Sequence, residues 1–380
     1  MTLQYNPDKR TIKLQFNQKN IYDFFQTKDF FFTKEILTRY YLSLKTKPFV
    51  ILTGISGTGK TKIAQIFADY ICQDDDTKEK NKRIAFVPVR PDWMDNKGIL
   101  GFYNILDEKY HSTKVLDIIL EAKENPEKSY FVILDEMNLA KVEHYFSDFL
   151  SVLESRTSDN PDGETITLHS FLNAETQQGV DIPGSIQIPS NIFFTGTVNI
   201  DESTYMFSPK VLDRANVIEF NEVNLEEYAG TSSFATDSSL VLENEIVKDS
   251  LIDNDIPPFC SKKDYMEFKR IENNQNIIQN MLELLQGYNM HFGYRVVNEV
   301  SRFINICNDE VQEFDFNTAM DIQIIQKVLP KFHGTRAKLE EPLNKLLFFC
   351  NKDNRFPRST KKIDRMLKQL SIQGYASFIE

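Results

Sequence analysis

The residues most able to do chemistry are Gly54-Ile55-Ser56-Gly57-Thr58-Gly59-Lys60-Thr61, which fill every fixed position of the pattern G-x-x-x-x-G-K-[ST]. Glycines at these positions let the backbone curl so that its N–H groups face phosphate oxygens. A helix opening directly behind the loop adds positive potential. The phosphate-binding set is therefore Gly54, Ser56, Gly57, Thr58, Gly59, Lys60, Thr61 and Lys62. Lys60 is expected at the β- and γ-phosphates and the Thr61 hydroxyl at Mg²⁺. A second candidate is Asp135-Glu136, which closes the apolar run Tyr130-Phe131-Val132-Ile133-Leu134. There Asp135 would hold Mg²⁺ and Glu136 would polarise an attacking water. Asn199 ends another apolar run, Ile192–Val198, where its amide would hold that water or simply turn the chain.

Elements must deliver these groups to one place. Pro48–Thr53 reads as a buried strand, and Ile63, Ala64, Ile66 and Phe67 recur at helical spacing behind the loop. Further strands are expected at Arg83–Val89, Tyr130–Glu136, Ile192–Val198 and Val217–Phe220. Helices are expected at Leu116–Ala122, at Asn138–Glu154, and from Pro209 to near Arg214. Strands alternating with helices predict an α/β, doubly wound parallel sheet, whose ligands bind beyond the strands' carboxyl ends.

The expected division is a lead-in at 1–45, a nucleotide-binding domain at 46–225, a linker at 226–262, an α-helical lid at 263–350 and a basic tail at 351–380. The lead-in holds a strand at Thr11–Phe16 and one or two helices in Ile21–Leu44, with Phe24, Phe25, Phe30, Phe31 and Phe32 as packing or docking residues. The nucleotide-binding domain carries a hairpin insertion near 163–190, with strands at 165–168 and 185–189. The lid pattern rests on Ile277, Ile278, Met281, Leu282 and Leu285, then Val296, Val300, Phe303 and Ile304, with further helices at Thr318–Leu329 and Leu339–Phe349. The tail carries Lys352, Arg355, Arg358, Lys361, Lys362, Arg365 and Lys368, which suit a solvated helix face first, and otherwise nucleic acid or an acidic partner.

Composition bounds the rest. The 380 residues are 41% hydrophobic with a formal charge of −11, which argues against a surface coated for nucleic acid. No apolar run reaches the roughly 18 residues of a membrane span, and the N-terminus lacks the layout of a signal peptide. Cys72, Cys260, Cys307 and Cys350 form no C-x-x-C pair and read as reduced thiols of a cytoplasmic protein without zinc.

The order of P-loop, Asp-Glu strand, Asn-ended strand, arginine near a helix end and helical lid resembles an AAA+ ATPase or GTPase. Leu134-Asp135-Glu136-Met137-Asn138-Leu139-Ala140-Lys141-Val142 and Gly196-Thr197-Val198-Asn199-Ile200-Asp201-Glu202 resemble most the McrB-like branch, motor subunits of modification-dependent restriction systems. Val198 stands where that signature has Met and Glu202 where it has Asp, so ATP and GTP both stay open. The resemblance implies that Asn199 is sensor 1, Arg214 an arginine finger for the neighbouring subunit, and Arg295 a sensor 2 arginine of the lid. It makes 165–188 a pre-sensor 1 insertion and 91–113 a helix-2 insertion. It implies a ring, most simply a hexamer, working with an McrC-like endonuclease and reaching DNA through the complex, with target recognition supplied by another subunit or by a part of the chain trimmed from this sequence. A MoxR-like remodeller of proteins and a nucleotide-gated scaffold are the alternative readings.

Overall fold

A computed structural model describes residues 2–4, 13–15, 20–28, 30–73, 75–171, 174–200, 205–221, 240–243, 246, 250–253, 256–271 and 275–379. The expected linker falls largely outside them, as do Asp201 and Glu202 of the signature and Thr11, Ile12 and Phe16 of the first expected strand. Two short antiparallel strands, β1 (Thr2–Gln4) and β2 (Lys13–Gln15), open the chain.

The centre is a five-stranded, all-parallel sheet. Its strands are β3 (Phe49–Gly54), β4 (Ile84–Pro88), β7 (Tyr130–Asp135), β10 (Ile192–Asn199) and β11 (Asn216–Phe220), in the spatial order β11-β3-β10-β7-β4. The central strands are continuous apolar runs because both faces are covered. Phe193 and Phe194 show this directly, since neighbours in a strand point to opposite faces. Phe193 stacks on Phe131, which meets Phe67 edge-on, while Phe194 sits edge-on to Phe146 and Phe149.

The lead-in packs into this body. Helix α1 (Ile21–Gln26) and helix α2 (Lys34–Thr46) begin at Asn20 and Thr33, whose side chains cap the first turns. Tyr40 of α2 shares a 2.7 Å hydrogen bond with Thr195 in the sheet. Helix α3 (Lys60–Ile71) follows the P-loop, with α4 (Thr77–Arg83) beyond it. Phe25 is buried and Phe32 half-buried, whereas Phe30 and Phe31 stay exposed.

Two insertions decorate the sheet. The first holds α5 (Lys97–Leu100) and an antiparallel hairpin, β5 (Gly101–Asn104) and β6 (Lys109–Ser112), followed by α6 (Lys114–Glu124). Trp93, at its start, packs edge-on against Tyr145. The second is the hairpin β8 (Ile166–Thr167) with β9 (Ser185–Ile186). The insertions join through a bridge between Tyr110 and Thr176 and a Tyr103–Phe171 stack at 3.9 Å.

The single helix expected over Asn138–Glu154 is instead three pieces. A 3₁₀ turn at Met137–Leu139 precedes α7 (Val142–Tyr145) and α8 (Ser147–Ser155). Ala140 and Lys141 are extended and Phe146 leaves helical geometry, which breaks the run twice. Helix α9 (Pro209–Leu212) then leads to Arg214 and β11.

The helical domain contains α10 (Lys262–Phe268), α11 (Gln275–Gln286), α12 (Tyr294–Glu310) and α13 (Phe316–Gln323), then α14 (Arg336–Asn351) and α15 (Pro357–Gln373). The helix expected over Thr318–Leu329 passes from α13 into a π turn at Ile324–Val328 and a 3₁₀ turn containing Pro330. The segment read as a basic tail is built into this domain. Helix α15 packs on α14, and β13 (Tyr375–Ser377) pairs antiparallel with β12 (His333–Thr335). Lys362 is buried and donates to Glu219 at 2.5 Å and to the Phe378 carbonyl at 2.7 Å, while Arg358 pairs with Glu35. Helical and α/β parts are further joined by a buried triad in which Glu299 of α12 meets Lys47 and Lys327. Among the described residues no helix is long and apolar enough to cross a membrane.

Candidate nucleotide-binding site

The sheet register assembles the site. Asn199 lies opposite Gly54, and Gly196 opposite Leu134, so the ends of β3, β10 and β7 coincide at one edge. Gly54 (φ +146°) and Gly59 (φ +89°) adopt conformations that favour glycine. A side chain at Gly54 would run into the Phe220 carbonyl at 2.4 Å, and one at Gly59 into the Phe32 ring at 2.9 Å. The P-loop is thus wedged between the end of β11 and the lead-in. Ile55, Ser56 and Gly57 are exposed, as is Lys62 in the first turn of α3, whose ammonium lies 5.9 Å from the centre of the Phe30 ring. The Thr58 hydroxyl closes the loop on the Ile55 carbonyl at 2.9 Å. Lys60 is buried, and its ammonium donates to the Gly54 and Ile55 carbonyls at 2.9 and 2.6 Å.

A hydrogen-bonded chain runs from the loop to the acids. Thr61 Oγ1 donates to Asp135 Oδ1 at 2.7 Å, and Thr197 Oγ1 donates to the same oxygen at 2.8 Å. Thr197 also accepts the Glu136 N–H at 3.0 Å. Glu136 is in the left-handed region (φ +53°), which for a residue with a side chain costs about 1–2 kcal/mol. That turn takes the carboxylate off the strand axis, where Asn199 Nδ2 donates to Glu136 Oε1 at 3.3 Å. The spacing alone did not single out Thr197. Its position, two residues before the strand-ending amide, was the available signal. The convergence of Thr61 and Asp135 oxygens gives a hard, all-oxygen donor set of the kind Mg²⁺ takes.

Arg214 and Arg295 lie elsewhere. Asn216 pairs with Val50 and Phe220 with Gly54, so Arg214, before β11, sits at the sheet edge opposite the P-loop. Arg295, at the start of α12, joins it there rather than at its own chain's P-loop, where a lid arginine of the expected kind would sit. One carboxylate, Glu154 at the end of α8, ion-pairs with both arginines. Asp213 pairs with Arg295 and Lys331. Burial alone would raise the Asp213 pKa, but Lys331 and Arg295 outweigh it and hold the carboxyl below its ordinary value. Glu154 was not identified from sequence, because its partners are 60 and 141 positions away.

Residues 49–218 match the family model described as the AAA domain of the dynein-related subfamily. The α/β part is an AAA+ domain. Residues 251–375, the helical domain that follows it, match a model described as a domain of unknown function (DUF8727). No curated protein matches the chain. Among solved structures, a "putative ATPase" from Cytophaga hutchinsonii ATCC 33406 is similar at a TM-score of 0.42 and 13% identity, over 76% of this chain and 79% of that one. The P-loop, acidic strand end and Asn199 all lie within the segment that matches the AAA model.

Proposed function

We propose that the chain is a Mg²⁺-dependent nucleoside triphosphatase, taking ATP or GTP, and the motor subunit of a ring. The observation that carries this reading is the chain Thr61–Asp135–Thr197–Glu136–Asn199 at the mouth of the P-loop. P-loop amides and Lys60 bind and orient the phosphates. Glu136 accepts the proton of a water that the Asn199 amide holds in line with the γ-phosphorus. Thr61 and Asp135 would hold Mg²⁺, which when bound neutralises charge on the β- and γ-oxygens.

The ring reading is supported by where the arginines sit. Arg214 and Arg295 face away from their own P-loop and would complete a neighbour's site, through a head-to-tail interface of the kind that closes into rings. A finger supplied in this way is worth on the order of 10³–10⁵ in rate. Resemblance at residues 134–142 and 196–202 favours an McrB-like hexamer in a defence system, coupled to an McrC-like endonuclease and through it to DNA. A second reading, remodelling of proteins, is favoured by the inserted arm. Its hairpin turn exposes Ile105 and Leu106, and its two hairpins, 101–112 and 166–186, carry Asp107, Glu108, Glu175 and Asp181 against Lys109, a surface poorly suited to phosphate backbones.

Phosphate release from ATP and from GTP, with and without Mg²⁺, duplex DNA and an unfolded polypeptide, tests the proposal. Turnover of either nucleotide that is lost in Lys60→Ala supports it. Absence of turnover at high protein concentration removes it, and which polymer stimulates decides between the two readings.

A further inference from the structure

The arginine cluster carries one carboxylate whose placement the hydrolytic reading leaves unexplained. Glu154 Oε2 accepts from Arg214 Nε at 2.5 Å, and Oε1 pairs with Arg295. One triangular oxyanion thus lies in the grasp of two guanidinium groups. A γ-phosphoryl group, with its fan of equatorial oxygens, presents the same kind of acceptor to the same donors. The surroundings fix the cations and leave the anion replaceable. Asp213 holds Arg295, and Lys327 donates to the Asp213 and Ala215 carbonyls at 3.3 and 2.8 Å, which anchors the turn that carries Arg214. Glu154 is 38% exposed in its side chain, against 24% for Arg214 and 31% for Arg295. Ion pairs at this level of exposure are individually weak.

Charge points the same way. Arg214, Arg295 and Lys331 give three positive charges against Glu154 and Asp213, a net of +1. With Glu154 swung out, the remaining group is +2, suited to a triphosphate presented by another protomer.

We propose that Glu154 stands in for phosphate: in the unassembled chain its carboxylate occupies Arg214 and Arg295, and the neighbouring protomer's nucleotide displaces it. This rests on the reading of those arginines as acting in trans. Glu154 is then a positioning residue that keeps the two arginines paired and competes with assembly. The exchange forms and breaks no covalent bond.

The test is steady-state turnover against protein concentration for wild type, Glu154→Gln and Glu154→Ala, with denaturant midpoints to confirm folding. Loss of the competing carboxylate is expected to lower the protein concentration of half-maximal specific activity by roughly two- to tenfold, the range that weak exposed pairs allow. Specific activity at saturating protein is expected to stay within about twofold of wild type, a split between assembly and turnover that a purely structural role would not produce. A half-point unchanged or raised in both variants, or a maximum reduced to the level of Arg214→Ala, overturns the proposal. Arg214→Ala is the separate control: if it keeps full activity at saturating protein, the trans reading falls.

Discussion

The Thr197 hydroxyl donates to Asp135 Oδ1 at 2.8 Å while accepting the N–H of Glu136 at 3.0 Å. One buried side chain on the central strand therefore orients both Asp135, the acid proposed to hold Mg²⁺, and Glu136, the proposed general base. Thr197→Val keeps the shape and removes the hydroxyl, leaving the Glu136 N–H without this acceptor, a cost of about 1–3 kcal/mol. We expect weaker nucleotide binding in Mg²⁺ and little change in EDTA, measured by titration calorimetry. Equal losses in both conditions would refute the assigned role.

Binding and chemistry should separate at the acids. Glu136→Gln is expected to bind nucleotide with near wild-type affinity yet lose about 10²–10⁴ in turnover, the usual worth of a general base. Lys60→Ala should lose binding itself. A Glu136→Gln variant that hydrolyses normally would remove that residue from the mechanism.

Gly59→Ala should damage the P-loop twice. The new methyl group meets the Phe32 ring at 2.9 Å, and the left-handed backbone costs about 1–2 kcal/mol with a side chain present. Gly59→Ala combined with Phe32→Ala relieves the clash but not the backbone, so nucleotide affinity should recover only in part. Full recovery would show that the backbone conformation costs little.

The buried triad predicts a pH dependence. Burial alone would raise the Glu299 pKa, but Lys327 and Lys47 hold it at about 2. A folded-state pKa below the unfolded value of about 4.3 gives stability that is present above pH 4.3 and lost as pH falls toward 2. The shift corresponds to about 3 kcal/mol. Glu299→Gln leaves two buried lysines with one acceptor fewer and should destabilise by about 3–5 kcal/mol at pH 7. Denaturation midpoints against pH should fall less steeply for the variant over that acid window.

The parts that were legible in the sequence are those written in local pattern. The P-loop, the five apolar strands and Asn199 announce themselves because a buried parallel strand needs an unbroken apolar run and ligand groups cluster at its end. Features that depend on distant pairing did not show. Asn138–Glu154 carries helical spacing throughout, yet extended Ala140 and Lys141 and the non-helical Phe146 break it. Lys362 and Arg358 read as a charged face because Glu219 and Glu35 are 143 and 323 positions away. Arg295 was placed by its order in the chain, which says nothing of which sheet edge the start of α12 reaches.

Gly54 leaves no room for a methyl group beside the Phe220 carbonyl, and Phe220 ends the short strand that begins just after Arg214. Under the proposed ring, that strand would join the phosphate grip at one tip to the arginine offered to a neighbour at the other. The same five residues would then tie how tightly a protomer holds its own phosphates to where it presents Arg214.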